Sequence, residues 1–480
     1  MGRGPVPGWR PRMTAPTSPV ALARPRHAPR VVVIGGGLAG IAAAIALCDA
    51  GAAVTLAEAR PRLGGATSSF SRDGLTVDNG QHVFLRCCDA YRNLLDRLGV
   101  TARTVLQDRF DVRVLTESGA ARLRRRALPV PLHLAQALAT YPLISRAERA
   151  GAVRAALAFL RVNPADPAAD RERLGDWLAA HGQGPRARRA LWDLFVVSSL
   201  NIAGDDASLA LAAMVIRTAL LGKPGAADIG IPAAPLGELH GQAASELLQR
   251  LGATVRTGTK VSHVGPGETA GSLRVQMNGP GSDGGPIDTD GAVLAVPPAQ
   301  AAGLLPAEAA GAPGTAGDPA SWRGLGESPI VNVHVLYDRP VTSLRFAAAV
   351  GSPVQWIFDR TAVSGCEQGQ YLALSLSAAD EYAGQRTQQL REQFLPALER
   401  LLPAARSAHV TDFFVTRERR ATFRQVPGTA ALRPGAATAL PGLVLAGAWT
   451  NTGWPDTMEG AVRSGLQAAT TILEELGARR

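Results

Sequence analysis

Apolar runs of strand length recur along the chain, several of them ending in glycine. Residues 31–34 (VVVI) form the first and 53–57 (AVTLA) the second; GAVLAVPP at 291–298 and PGLVLAG at 441–447 supply two more. Short, uninterrupted apolar runs are characteristic of strands buried on both faces, as in a parallel sheet. Between the first two, residues 42–50 are almost wholly apolar and stop at Gly51, which predicts a buried helix. Residues 252–264 read as strand, turn and strand, and a closing helix is expected from Met458 to about Glu475. The Gly- and Pro-rich segments 265–290 and 306–320 predict hairpin turns or surface loops. No apolar stretch reaches the roughly 18 residues a membrane-spanning helix needs.

The junction of the first strand and helix is Gly35-x-Gly37-Leu38-Ala39-Gly40, and Glu58 closes the second strand. Each part has a task. Gly35 permits the tight turn, Gly37 lets backbone approach a diphosphate, and Gly40 lets helix and strand pack closely. The helix N-terminus offers free N–H groups to phosphate, and Glu58 can accept from ribose hydroxyls. Strand, glycine turn, helix, strand and acid in this order predict a dinucleotide site.

Composition narrows the rest. A chain of 480 residues with 46% hydrophobic residues can bury a large core in two or more domains. The net charge is +10, but six arginines and no acid lie in residues 1–30, so the remainder carries only +4. Residues 1–27 are read as a disordered basic tail and not a secretion signal, with Met13 a second candidate start. Nucleic acid is not an expected partner, because no nucleic-acid motif accompanies the charge. Four cysteines (48, 87, 88 and 366) do not make a disulfide framework in a chain of this length. The stretch VDNGQHVFLRCCDAY at 77–91 offers one His and two adjacent Cys, which do not match a tetrahedral ligand set, so no metal is expected.

Glu58-Ala59-Arg60-Pro61-Arg62-Leu63-Gly64-Gly65 resembles the second motif of FAD-binding amine oxidases and carotenoid-type desaturases. The resemblance implies FAD, with Gly64 and Gly65 beside its diphosphate and a backbone group near Val261 at the adenine. Gly447 would lie by the ribitol, and the helix beginning at Thr457 and Met458 would face the flavin. Two departures stand out: Ala66 and Ala448 occupy positions where that superfamily commonly has Arg and an acid. The implied fold is α/β, a discontinuous Rossmann-like FAD-binding domain (28–105, 236–300 and 438–478). An α+β substrate domain (106–235 and 301–437), like that of amine oxidases and phytoene desaturases, completes it.

DNGQHV from Asp78, WDLFVVSSLNIAGDDASLALAAMV at 192–215 and TNTGWPDTMEGAVRSG at 450–465 resemble the hydroxysqualene dehydroxylases of hopanoid biosynthesis. That implies reduction of hydroxysqualene to squalene by reduced FAD, with Gly80, Gln81 and His82 along the flavin. The hydroxyl must be protonated as it leaves, and His82, Asp456 and Glu459 are the candidate donors, with Asp78 a weaker one. Each also has a structural reading: packing for His82, capping for Glu459, turn bonds for Asp78. Trp192, Phe195, Met214, Trp356 and Phe358 are candidate tunnel lining or plain core.

The resemblance further implies an isoprenoid taken from the cytoplasmic membrane by a peripherally bound cytoplasmic protein. Electrons would come from NADPH or a separate reductase. Arg122, Arg124, Arg125 and Arg126, ahead of an apolar stretch to 145, have the composition of an interfacial segment, and equally of a basic loop before a core helix. A desaturase- or amine oxidase-type enzyme running the flavin oxidatively, or a non-catalytic FAD-binding scaffold, are the competing readings.

Overall fold

The computed structural model describes residues 28–279, 285–311 and 317–478; the basic tail expected at 1–27 lies outside them. β1 (Arg30–Ile34) is the central strand of a five-stranded, all-parallel sheet. β2 (Ala53–Glu58) and then Thr254–Thr257 lie to one side, Gly291–Leu294 and then Leu443–Leu445 to the other. Its core residues are almost fully covered, Val33, Leu56, Val293 and Val444 at 0% exposure, which accounts for their unbroken apolar pattern. Helix α1 (Leu38–Asp49) connects β1 to β2 and packs against the long C-terminal helix Met458–Ala478.

Segment 265–290, expected to be hairpin turns or surface loops, holds strands as well as turns. Leu273–Asn278 and Ile287–Thr289 join Lys260–Pro266 in a three-stranded antiparallel sheet. Val275, Met277 and Leu273 bury one face, and alternation with Arg274 and Gln276 is the signal that the surrounding glycines obscured.

The second half of the molecule is built on a seven-stranded mixed sheet. Its order is Val410–Thr422, Ser328–Tyr337, Gln370–Leu376, Trp356–Asp359, Phe346–Ala349, Asp111–Thr116 and Gly119–Arg124. Along Ser328–Tyr337, Val331, Val333 and Val335 enter a core shared with helix Thr387–Leu401. The intervening Asn332 and His334 point the other way, toward the parallel-sheet half. A helical lobe covers the remaining side. Its longest helix, Arg146–Phe159, begins with a Ser145/Glu148 capping box, and Phe159, Trp177 and Trp192 cluster in its core.

Candidate active site

The glycine turn after β1 is built from backbone alone. Gly35 has φ +106°, and a Cβ on Gly40 would fall 1.9 Å from the Gly35 carbonyl oxygen. The second glycine motif folds onto the first: the N–H of Gly64 donates to the Gly36 carbonyl at 2.8 Å. A Cβ on Gly65 (φ +56°) would meet the Gly37 Cα at 2.8 Å. The result is a groove without side chains that ends at the N-terminus of α1, where Leu38 and Ala39 open the helix. Glu58 is fixed beside it, accepting from the N–H of Gly36 at 2.6 Å and of Arg60 at 2.7 Å. The N–H of Thr259 donates to the Glu58 carbonyl, which brings the strand bearing Val261 alongside. Ala59 lies between these anchored positions, and the Ala66 carbonyl accepts from Asn79 Nδ2 at 2.7 Å, linking the motif to the 78–82 turn.

That turn is anchored by Asp78. Its carboxylate receives Arg360 Nη2 at 2.6 Å, Ser69 Oγ at 2.6 Å and the Leu236 N–H at 3.0 Å. With Asp78 and Arg360 both buried, this is a structural pair, and Asp78 is not placed as a proton donor. His82 Nδ1 lies 3.2 Å from the Gly80 carbonyl, which can only accept, so the proton sits on Nδ1 and Nε2 keeps its lone pair. Burial pushes the His82 pKa down and the Arg360 charge adds to this, opposed by the Gly80 bond and Asp78. A neutral imidazole accepts at Nε2, which runs against the donor role considered for His82.

Behind the turn, His240 Nε2 and Tyr91 Oη are 2.8 Å apart, and burial pushes His240 down to about 3. Gln81 Nε2 and Asn332 Oδ1 are buried without a hydrogen-bond partner. Asn332 reaches the same turn through the Asn79 carbonyl at 3.2 Å. Native proteins rarely leave such groups unsatisfied, so a polar ring system seated beside residues 80–82 fits this donor and acceptor set. The bare glycine groove, Glu58 and these atoms together suit a dinucleotide cofactor with a polar ring at its far end.

The C-terminal motif follows the last strand of the parallel sheet, Leu443–Leu445. Gly447 (φ +140°) donates its N–H to Ser464 Oγ at 2.8 Å, and Thr457 Oγ caps the helix by accepting from the Gly460 N–H at 3.2 Å. Met458, half-buried, packs into the core of the parallel-sheet half. Glu459 is 1% exposed and fully engaged, accepting from the N–H groups of Ala90 and Tyr91 at 3.1 and 2.7 Å and from Arg463 Nε at 2.7 Å. It ties the start of α2 (Asp89–Leu98) to the C-terminal helix, which withdraws it from a donor's role. Asp456 differs. One carboxylate oxygen accepts from the Phe423 N–H at 3.0 Å, and burial pushes its pKa up to about 6. The buried Arg433 guanidinium lies close enough to oppose that shift, and donates to the carbonyls of Ala448, Trp449 and Thr450.

Sequence reasoning did not find Arg360, His240, Asn332 or Arg433, whose partners are distant in the chain. Of the expected tunnel residues, Trp192 and Met214 are core, and Phe358 is 6% exposed. Phe195 and Trp356 are half-buried, and with Phe346 and Trp454 they pack along the helical lobe; Trp356 Nε1 donates to Ser198 Oγ at 3.0 Å. Cys87 and Cys88 are half-buried, and Cys88 precedes α2 directly. The arginine run also separates. Arg122 and Arg124 pair with Asp111, Arg125 turns inward to Asp228 at 2.6 Å, and Arg126 donates to Gln136, so three of the four stay exposed and only Arg125 is drawn into the fold. Among the described residues, no helix is long and apolar enough to cross a membrane.

Comparison with known proteins agrees with this geometry. Residues 38–473 match the family described as flavin containing amine oxidoreductase. A hydroxysqualene dehydroxylase of Rhodopseudomonas palustris is 31% identical over 92% of this chain and 98% of its own. A zeta-carotene desaturase of Synechocystis is 25% identical over 92% and 97%. Among solved structures, wild-type putrescine oxidase bound to putrescine superposes with a TM-score of 0.68 at 19% identity, over 93% of this chain and 99% of that one, which shows the shared fold.

Proposed function

The chain belongs to the flavin containing amine oxidoreductase family and is a flavin-dependent oxidoreductase; within that family we propose that it binds FAD and reduces hydroxysqualene to squalene. The observation that carries this choice is Asp456. Removing a hydroxyl requires a proton donor, whereas desaturating a hydrocarbon does not, and Asp456 is a carboxyl group whose pKa is pushed up to about 6 by burial. It stands two residues from the half-buried Trp454, where an apolar chain could lie against the aromatic wall. Whole-length similarity to hydroxysqualene dehydroxylases supports the same substrate.

In this reading the bare backbone surface formed by the touching Gly37 and Gly65 would hold the diphosphate, Glu58 would take the adenosine ribose, and residues 80–82 with the helix after Thr457 would hold the ring. When bound, the flavin in its reduced form supplies a hydride. Asp456 protonates the leaving hydroxyl, the C–O bond breaks with water as the product, and the allylic carbon receives the hydride. Half-buried Phe195, Trp356 and Trp454 exclude water from the cation that develops. The carboxylate is then reprotonated from solvent. Electrons come from NADPH or a separate reductase, and the substrate is drawn from the cytoplasmic membrane by a peripherally bound protein serving hopanoid biosynthesis.

The test is mass spectrometry of products after mixing anaerobically reduced protein with hydroxysqualene, with a parallel arm of oxidised protein and phytoene. Squalene in the first arm is expected. Desaturated phytoene in the second, with hydroxysqualene unchanged in the first, would favour the desaturase reading.

A further inference from the structure

Away from the glycine groove, a cleft of about 300 Å³ opens between the small sheet formed by Thr104–Leu106 and Ile229–Pro232 and the edge of the seven-stranded sheet. Its floor is Val105, Ile229, Ile231, Leu344 and Phe346, and its polar wall is Gln107, Asp111, Arg113, Arg122 and Arg345, three cations to one acid. Arg113 and Arg122 stand directly opposite one another on antiparallel strands, a like-charge pair that is unfavourable by itself. Asp111 relieves only part of this. It accepts from Arg122 and lies 3.3 Å from Arg124, while Arg113 and Arg345 have no ion-pair partner among the described residues. Val105 is also one of the few large apolar side chains left exposed, at 37%. Unneutralised guanidinium groups over an apolar floor complement a phosphate attached to a hydrocarbon chain.

We infer that this cleft seats the phosphate headgroup of an anionic membrane lipid and fixes which face of the protein meets the bilayer. The volume suits a headgroup and the first carbons of its chains, not a whole lipid. The site is gathered from the hairpin 111–124 and from three further strands, 104–106, 229–232 and 346–349, and of the arginine run at 122–126 only Arg122 contributes. The inference deepens the reading that the substrate comes from a membrane, but its test measures binding without substrate or turnover, so the two can fail separately.

The experiment is sedimentation of the full-length, flavin-loaded protein with phosphatidylcholine vesicles, with and without phosphatidylglycerol. Wild type, R113Q/R345Q and a charge-matched control, R250Q/R323Q, are compared at several salt concentrations. Two arginines at an anionic surface predict about a 30-fold lower partition coefficient for R113Q/R345Q. The control should stay within about threefold of wild type. Circular dichroism and flavin content verify that both variants fold. Equal loss in variant and control would reduce the effect to net charge and overturn the site. So would binding indifferent to phosphatidylglycerol, or displacement from vesicles by millimolar inorganic phosphate as complete as that produced by soluble short-chain phosphatidylglycerol.

Discussion

Replacing Arg360 by Met probes the anchor of the 78–82 turn. Arg360 Nη2 and Asp78 Oδ2 are 2.6 Å apart, with the side chains 10% and 3% exposed. In R360M, Asp78 keeps the Ser69 hydroxyl and the Leu236 N–H but loses its ion-pair partner. Leaving one partner of a buried pair uncompensated costs about 3–5 kcal/mol. The two surviving donors place the expected loss near the lower end, at about 3 kcal/mol. Because the partners are coupled, D78N/R360M should lose less than the sum of the single losses. Urea unfolding followed by tryptophan fluorescence reads this as a lower midpoint with an unchanged slope. A second readout follows from His82. Its pKa is held down first by burial and then by the Arg360 charge, so the variant's imidazole should titrate at higher pH in an NMR experiment. A loss under about 1 kcal/mol, or single losses additive within about 0.5 kcal/mol, would refute the anchoring role.

D456N should abolish squalene formation in single-turnover mixing while flavin content stays normal; in wild type, the Asp456 proton is present below about pH 6, so the rate should fall as pH rises through that value. E459Q should lose about 1.5–3 kcal/mol of stability, from charge-assisted bonds to α2 and Arg463, with the rate of flavin reoxidation unchanged. G65A places a Cβ against the Gly37 Cα at positive φ, so flavin affinity of the apoprotein should weaken about tenfold or more, read by fluorescence titration.

What could be read from the chain was local. β1, α1 and β2 lie within one contiguous stretch whose periodicity, glycines and terminal acid are adjacent in sequence, and the C-terminal helix begins at Met458 as the pattern indicated. The roles of Asp78 and Glu459 were not legible in the same way, because Arg360 and the N–H groups of Ala90 and Tyr91 are hundreds of residues from their acceptors. The arginines at 122–126 were read as a block of charge. Strand alternation sends Arg122 and Arg124 to one face and turns Arg125 inward to Asp228. Arg433 carries no local signal at all, since its partners are carbonyl groups, which every residue has.

The parallel sheet places Leu443–Leu445, near the end of the chain, beside Gly291–Leu294 and two positions from β1 at its start. During synthesis the first strands leave the ribosome long before the last is made, so the sheet waits with one edge open and its apolar strands uncovered. Closure of the sheet then becomes a late step of assembly. A polypeptide stopped short of Leu443 lacks both the final strand and the helix packed on α1, and so leaves the sheet edge and one face of α1 uncovered.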